Sequence, residues 1–330
     1  MPLEDPLTFV PVFQQYLWGG RRLETVLHKP LGDAAQYAES WEVVDHGDEQ
    51  SVVATGPQAG RSLRELLASH AGDLLGEAHS QSLGDLSVAR FPLLFKFLDA
   101  QRVLSLQVHP NDEQAARLNP PDLGKTEAWV IVAAEPGAVV YAGLKAGVTR
   151  ERLRIAMESG AGAECMHCFE PAAGDCVFIP AGVPHALGAG LLVAEIQQAS
   201  NTTFRLHDWN RLGADGQPRP LHLEQGLAVI DYEYGPVTPQ MAQPTADAGR
   251  ERLVACDKFV LDRLRAGVHA IGGGRFHILA AIEGAVELRW NGQEQILTTG
   301  QTTLVPASVE ADLKVASGDA GVLDMYLPDK

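Results

Sequence analysis

The chain lacks any apolar stretch of the roughly 18 residues that a membrane-spanning helix requires, which argues against a membrane partner. Its opening residues, Met1 to Pro11, show neither the basic start nor the apolar run of a signal peptide, so a cytoplasmic location is expected. It also lacks any block of Lys and Arg. With 26 basic against 42 acidic residues the formal net charge is -16, and most of the surface should repel a nucleic-acid backbone. An anionic substrate would need a small, locally basic pocket. Cysteine is scarce: Cys165, Cys168, Cys176 and Cys256 are four thiols in 330 residues and are read as reduced. The Cys165-Met-His-Cys168 spacing has no second ligand pair, so it reads as ordinary thiols rather than a zinc or redox motif.

What is present points to a folded, turn-rich chain. Hydrophobic residues make up 45% and charged residues 21%, which is ordinary for a globular protein, while 33 Gly and 20 Pro favour short strands and tight turns. The length suggests two units. Leu63, Leu66, Leu67 and Leu74 fall at helical spacing and predict a surface helical insertion near residues 61–84. Thr149 to Ser159, capped by Thr149 with Leu153, Ile155 and Ala156 as its apolar stripe, predicts a second helix. Leu221 to Ile230 predicts a third, with a short turn near Asn111 to Leu118. The remainder is short apolar or alternating runs punctuated by Gly, Pro, Asn and Asp, the pattern of an all-β sandwich or barrel. Val237 to Gly249 has no apolar periodicity and reads as a linker, dividing the chain into units 1–240 and 250–330. A weak repeat relates them: Gly174 to Pro180 and Gly300 to Pro306 share Gly, five residues and Pro. His185 stands five residues after the first Pro, Ala311 five after the second, and Gly274 or Arg275 falls where the repeat would need a Glu. The second unit is therefore expected to hold no metal.

Three stretches carry chemistry. Alternation along Val103 to His109 sends Ser105, Gln107 and His109 to one face and Leu104, Leu106 and Val108 to the other. Alternation from Lys125 puts Lys125, Glu127 and Trp129 on one face and Ala128, Val130 and Val132 on the opposite one. Either stretch alone would read as a half-exposed strand. The third stretch, Gly174, Pro180, Gly182 and His185, sets a turn that aims His185 inward and resembles the second cupin motif, with Ala189 where that motif usually has Asn. Together His109, His185 and Glu127, with Gln107 as a weak neutral oxygen donor, form a two-histidine, one-carboxylate site with open positions. Zinc suits these donors first, at one per chain, and manganese, iron or cobalt would fit the same set. Further along, Val193, Glu195 and Gln197 share a face, as do Arg205 and His207. Glu195 and Arg205 could form a cross-strand pair. Lys96 reads equally as a snorkelling surface residue and as a pocket cation, and Trp18 and Trp41 as packing.

The ordered set of Trp18-Gly-Gly, Ala38-Glu-Ser-Trp-Glu-Val, Phe91 to Ala100, Ser105-Leu-Gln-Val-His-Pro, Gly124-Lys-Thr-Glu-Ala-Trp, the motif at His185 and Glu195-Ile-Gln-Gln through Arg205 resembles the type I mannose-6-phosphate isomerases, in their shorter bacterial form. The resemblance implies cupin-type β-barrels or jelly rolls with a few inserted helices and a phosphorylated hexose as substrate. It implies a zinc site at Gln107, His109, Glu127 and His185, a catalytic arginine at Arg205, and supporting roles for Lys125 and Glu195. Ser105 and Arg211 are the residues it implies for phosphate, and Lys96 is the remaining candidate for the substrate pocket. Two positions depart from the pattern: Asn201 stands where many relatives carry Asp, and Gly124 where the longer forms carry His. Another sugar-phosphate isomerase, a dioxygenase or a non-enzymatic sugar-binding or regulatory cupin are the rival readings. The base, Glu195 or a solvent group held by the metal, stays open. So does the choice between monomer and homodimer.

Overall fold

In the computed structural model the described residues are 2–82, 89–213, 216–316 and 320–329. Positions 83 and 84, the last of the expected insertion, fall outside them. Strands dominate, as the turn-rich sequence predicts, and they form two antiparallel barrels of cupin type. In the first, a six-stranded sheet runs in the order Cys176–Ile179, Glu127–Ala134, Leu191–Gln198, Leu93–Ala100, Glu39–Val43, Val12–Gln14. Facing it is a five-stranded sheet, Met166–Phe169, Val140–Leu144, His185–Leu187, Leu106–Val108, Phe204–His207. The second barrel pairs the order Gln243–Pro244, Arg250–Ala255, Val260–Leu264, Gly321–Tyr326, His277–Glu283, Thr302–Val305 with four strands, Gly267–Ile271, Ala311–Val315, Ala285–Trp290, Gln293–Thr298.

Strand alternation explains how the barrels join. The outward set Ala128, Val130, Leu192, Ala194, Ile196, Phe95 and Phe97 packs in one apolar cluster with Phe259, Leu261, Ile278, Ala280, Leu323 and Met325 of the second barrel. The two large sheets are thus back to back, and their inner faces are left for separate interiors, one around Trp129, Ile131 and Val193 and another around Leu279, Leu288 and Leu313.

The helix predicted near residues 61–84 forms as Leu63–Leu75, its first turn fixed by a Ser62–Glu65 capping box. It is no surface appendage. Leu63, Leu66, Leu67, Ala71, Leu74 and Leu75 are all buried in the shared cluster, and the Leu74 and Asp73 carbonyls accept from Ala307 and Ser308 of the second barrel. The opening residues also cross over: Leu7 and Leu304 exchange backbone hydrogen bonds of 2.7 and 2.9 Å. The helix Arg150–Glu158 is capped by Thr149 as expected, yet it buries Leu153 and Met157 while Ile155 is 56% exposed, because the stripe continues four residues on rather than two. Asp112–Ala115 and Leu223–Val229 supply the other two expected helical turns. Among the described residues no helix is long and apolar enough to cross a membrane.

Candidate metal centre and catalytic cavity

The short strand Leu106–Val108 sits between His185–Leu187 and Phe204–His207, with His185 and Arg205 each registered on Gln107. Glu127 opens its strand opposite Ile179, the residue before Pro180. The turn at Gly182 has a φ of +87°, and a Cβ there would press on the Val229 carbonyl and Asp231, so glycine is required. The Gly182 amide donates to the His109 carbonyl at 2.8 Å, locking the turn that carries His185 to the strand that carries His109. Three motifs far apart in sequence therefore converge.

Donor atoms of His109, Glu127 and His185 lie within 4.8 Å of one another, all three residues being buried. His185 Nδ1 donates to the Val183 carbonyl at 2.9 Å and His109 Nδ1 to the Thr202 carbonyl at 2.9 Å. Each contact fixes the tautomer and puts the lone pair on Nε2, at 3.3 Å from Glu127 Oε1 for His185 and 3.5 Å from Glu127 Oε2 for His109. Burial holds both imidazoles below their ordinary range, His185 at about 4, so both are neutral near pH 7. Burial and then the Glu195 charge push Glu127 upward, and its Oε1 has no hydrogen-bond partner. A buried carboxylate short of positive charge, flanked by two tautomer-locked imidazoles, fits a divalent cation. The Gln107 amide nitrogen lies 3.2 Å from His185 Nε2, so turning the amide over would bring its oxygen to the cluster as a fourth donor. Lys125 also reaches the cluster, its ammonium bonding Glu127 Oε2 and approaching His109 Nε2 at 3.2 Å.

Above this cluster opens a polar cavity of about 330 Å³. Ser105, Gln107, Lys125, His185, Glu195, Lys96 and Arg205 line it, so these sequence candidates are brought together. Lys96 is a pocket cation: it is buried, lies 3.3 Å from Glu39 and 3.4 Å from Glu195, and sits over the Trp41 ring. Burial acts to lower its ammonium, but Glu195 and Glu39 outweigh this and hold it above the usual lysine range. Burial likewise acts to raise Glu195, and Lys96 followed by Lys125 overcomes it, so this carboxyl lies below its usual range and is ionised at neutral pH. Trp129 Nε1 donates to Glu195 Oε2 at 3.1 Å, while Oε1 accepts no hydrogen bond.

Several expected placements differ. The cross-strand pair of Glu195 and Arg205 does not form, because the two residues belong to opposite sheets; Arg205 instead donates to the Pro220 carbonyl at 2.9 Å. A register irregularity after Arg205 parts it from His207, which packs on Trp209 outside the cavity. Leu104 precedes the strand and lines the cavity instead of joining Leu106 and Val108. Arg211 lines a neighbouring cavity of about 720 Å³, where it bonds the Val103 carbonyl and Asp208. Glu39, Thr203 and Arg219 line the cavity without having been singled out, and Asn201, noted only as a departure from the family pattern, lines it too. Glu39 could have been found, since it lies two residues before Trp41 on the same strand face. Arg219 sits between two prolines and gives no periodic signal.

Two back-to-back barrels, with a His-Glu-His cluster in the first whose His185 lines a cation-lined cavity, define a two-barrel cupin with a candidate metal site. Residues 7–129 match the catalytic domain of type I phosphomannose isomerase. The chain is 39% identical over 231 residues to the mannose-6-phosphate isomerase ManA of Bacillus subtilis, covering 69% of this chain and 68% of that one. It is 34% identical over 228 residues to the mannose-6-phosphate isomerase of Streptococcus mutans, covering 69% and 68%. The crystal structure of a mannose 6-phosphate isomerase from Bacillus subtilis superposes with a TM-score of 0.87 over 98% of this chain and 100% of that one, at 28% identity. The chain belongs to the type I phosphomannose isomerase family.

Proposed function

We propose that the cavity interconverts mannose 6-phosphate and fructose 6-phosphate, with one zinc ion held by His109, His185, Glu127 and Gln107. The observation that carries this reading is the placement of an ionised carboxylate, Glu195, between Lys96 and Lys125 in a cavity lined also by Arg205 and by His185 of the candidate metal cluster. The bound zinc would supply fixed positive charge that polarises sugar oxygens. Manganese, iron and cobalt remain compatible with the donor set.

This chain's own residues account for the proton movements. With the sugar open, Glu195 Oε1 takes the proton from C2, and the electron pair passes into an enediolate with charge on the C1 oxygen. The same carboxyl returns the proton to C1, while the C2 hydroxyl loses its proton to the C1 oxygen and becomes the ketone. Lys125 and Arg205 hold the developing oxyanion through their positive charge. Glu195 is available throughout because its flanking lysines keep it deprotonated.

The phosphate end falls to Ser105 and Arg219, which line the cavity, and Arg211 assists from next door because Asp208 accepts from both arginines. A cytoplasmic setting belongs to this reading and accords with four free thiols. The test is metal analysis of the purified chain together with a coupled assay for fructose 6-phosphate formed from mannose 6-phosphate. One equivalent of metal with turnover is expected. Tight sugar-phosphate binding without turnover would favour a non-enzymatic cupin.

A further inference from the structure

The segment that links Leu191–Gln198 to Phe204–His207 forms a wall of the catalytic cavity. Asn201 and Thr203 face that cavity, and the Thr202 carbonyl fixes the His109 tautomer. The segment has no ladder partner of its own; the Ala199 amide donates to the Pro92 carbonyl and Gln197 Nε2 to the Ser200 carbonyl, and the other side-chain hydrogen bonds fix the rest of its shape. Most of these converge on one group. Asp122 Oδ2 accepts from Ser200 Oγ at 2.9 Å and from Thr202 Oγ1 at 2.7 Å. Its Oδ1 accepts from Arg90 Nη1 at 2.8 Å and from the Leu123 amide at 2.9 Å, and the same Arg90 nitrogen donates to the Ala199 carbonyl at 2.9 Å. His46 lies 3.5 Å from Oδ2.

Asp122 itself borders not the catalytic cavity but a separate one of about 720 Å³ on the far side of the segment, with His46, Arg90 and Thr202. Asn201 lines both, so the wall is one residue thick. We propose that Asp122 is a positioning residue that sets the metal affinity of the site by holding the Thr202 carbonyl on His109 Nδ1. The proposal rests on the metal reading above. A freed Thr202 carbonyl would let the His109 ring rotate and lose its tautomer preference, and ligand orientation of this kind is worth about 10- to 100-fold in metal affinity. Burial alone would raise the Asp122 carboxyl, but the donors from His46 and Thr202 hold it well below the usual range, so it accepts as a full anion.

The experiment is Zn²⁺ affinity of the metal-free chain, read by competition with a chelating dye and normalised to folded protein by circular dichroism. Asp122→Asn cannot accept from both hydroxyls as an anion, and it is expected to weaken Zn²⁺ binding about 10- to 100-fold. Thr202→Val keeps the backbone carbonyl but removes one anchor, and at least a threefold weakening is expected. Arg64→Ala is the control: Arg64 borders the same outer cavity but pairs with Asp45, so affinity stays within twofold. A purely structural Asp122 would lower the melting temperature and leave Zn²⁺ affinity unchanged, and wild-type affinity in both variants overturns the proposal. If Asp122→Asn does not fold, Thr202→Val decides by the same criterion. A wild-type chain that binds no Zn²⁺ would instead defeat the metal reading, a distinct result.

Discussion

The two barrels place different chemistry at the same registers. Ile179 faces Glu127 just before Pro180, and Val305 faces His277 just before Pro306, so His277 is the counterpart of Glu127. The neighbouring ladders then match Glu195 with Asp324, Lys96 with Asp262, and Glu39 with Arg250. Gln107 and His185 correspond to Ile271 and Ala311. In the first barrel Glu127 Oε1 and Glu195 Oε1 are buried without a hydrogen-bond donor. In the second, Asp262 is bonded by Arg250, Arg252 and Tyr326, and Asp324 by Arg250 and His277. One barrel leaves carboxylate oxygens at these registers without a hydrogen-bond donor, and the other bonds every oxygen of Asp262 and Asp324, with only Arg250 Nε of that network left without a hydrogen-bond partner. The fold permits both outcomes, and the side chains at these six registers decide between them.

The comparison breaks most severely at the ligands. His109→Ala or His185→Ala should abolish bound metal and lower turnover by at least about a thousandfold, since a ligand cluster acts as a unit. Ala311→His in the second barrel should leave metal content unchanged, because Ile271 and Gly273 supply no further donor there. Elemental analysis and the coupled assay check both, and metal retained in both histidine variants would refute the ligand assignment. Next in size is Asp324→Ala. It strands the buried Arg250 and His277, and a loss of about 3–5 kcal/mol in unfolding free energy is expected, measured in urea, with KM unchanged in the folded fraction.

Acid sharpens the contrast. Burial lowers His185 to about 4, so its stabilising neutral form is fully present above the unfolded value near 6.5 and is lost as pH falls from 6.5 toward 4. Glu127, pushed upward, works in the opposite sense over part of that range. A direct comparison of metal-free wild type with His185→Gln isolates the histidine: from pH 7 to pH 4 the variant should gain about 3 kcal/mol relative to wild type. Asp324 lies below the usual carboxylate range because His277 and Arg250 outweigh its burial, so its contribution is lost only below about pH 4. A variant whose stability parallels wild type from pH 7 to 4 would show that His185 is not buried neutral.

Much of this was legible in the sequence for a physical reason. Strand alternation has a strict period of two, so Gln107 with His109, and Lys125 with Glu127 and Trp129, could be assigned to one face before any fold was known. The repeat around Pro180 and Pro306 likewise gave the second barrel. Counting outward from that repeat without ladder registers is what put Gly274 or Arg275 at the Glu127 counterpart, where pairing puts His277. Sheet membership was beyond reach, and with it the separation of Glu195 from Arg205, because alternation assigns a face but not a partner. The burial of the helix Leu63–Leu75 was missed because its stripe reads the same whether it covers a surface or bridges two barrels. Arg219 and the Asp122 hub depend on loop hydrogen bonds, which have no period at all.

Arg205 provides the finest discrimination, since its strand, Phe204–His207, is the fifth in a sheet whose counterpart has four. Among the described residues the second barrel thus has no equivalent strand, and Arg205 is specific to the first barrel. Its guanidinium is held by the Pro220 carbonyl through one nitrogen, while Nε is buried without a partner. Burial, and then the nearby Arg219 and Arg211, lower it from the ordinary arginine range with Asp208 opposing them, yet it remains charged at any working pH. A planar donor with an unused N–H suits an oxyanion that develops only as C2 loses its proton. Arg205→Lys keeps the charge but loses the fork, so kcat should fall by about a hundredfold while KM changes less than about threefold. Were Arg205 a phosphate grip instead, KM would rise and kcat would stay near wild type. Arg219→Lys should show that second pattern, and the two variants assayed side by side would separate the oxyanion from the phosphate end of the cavity.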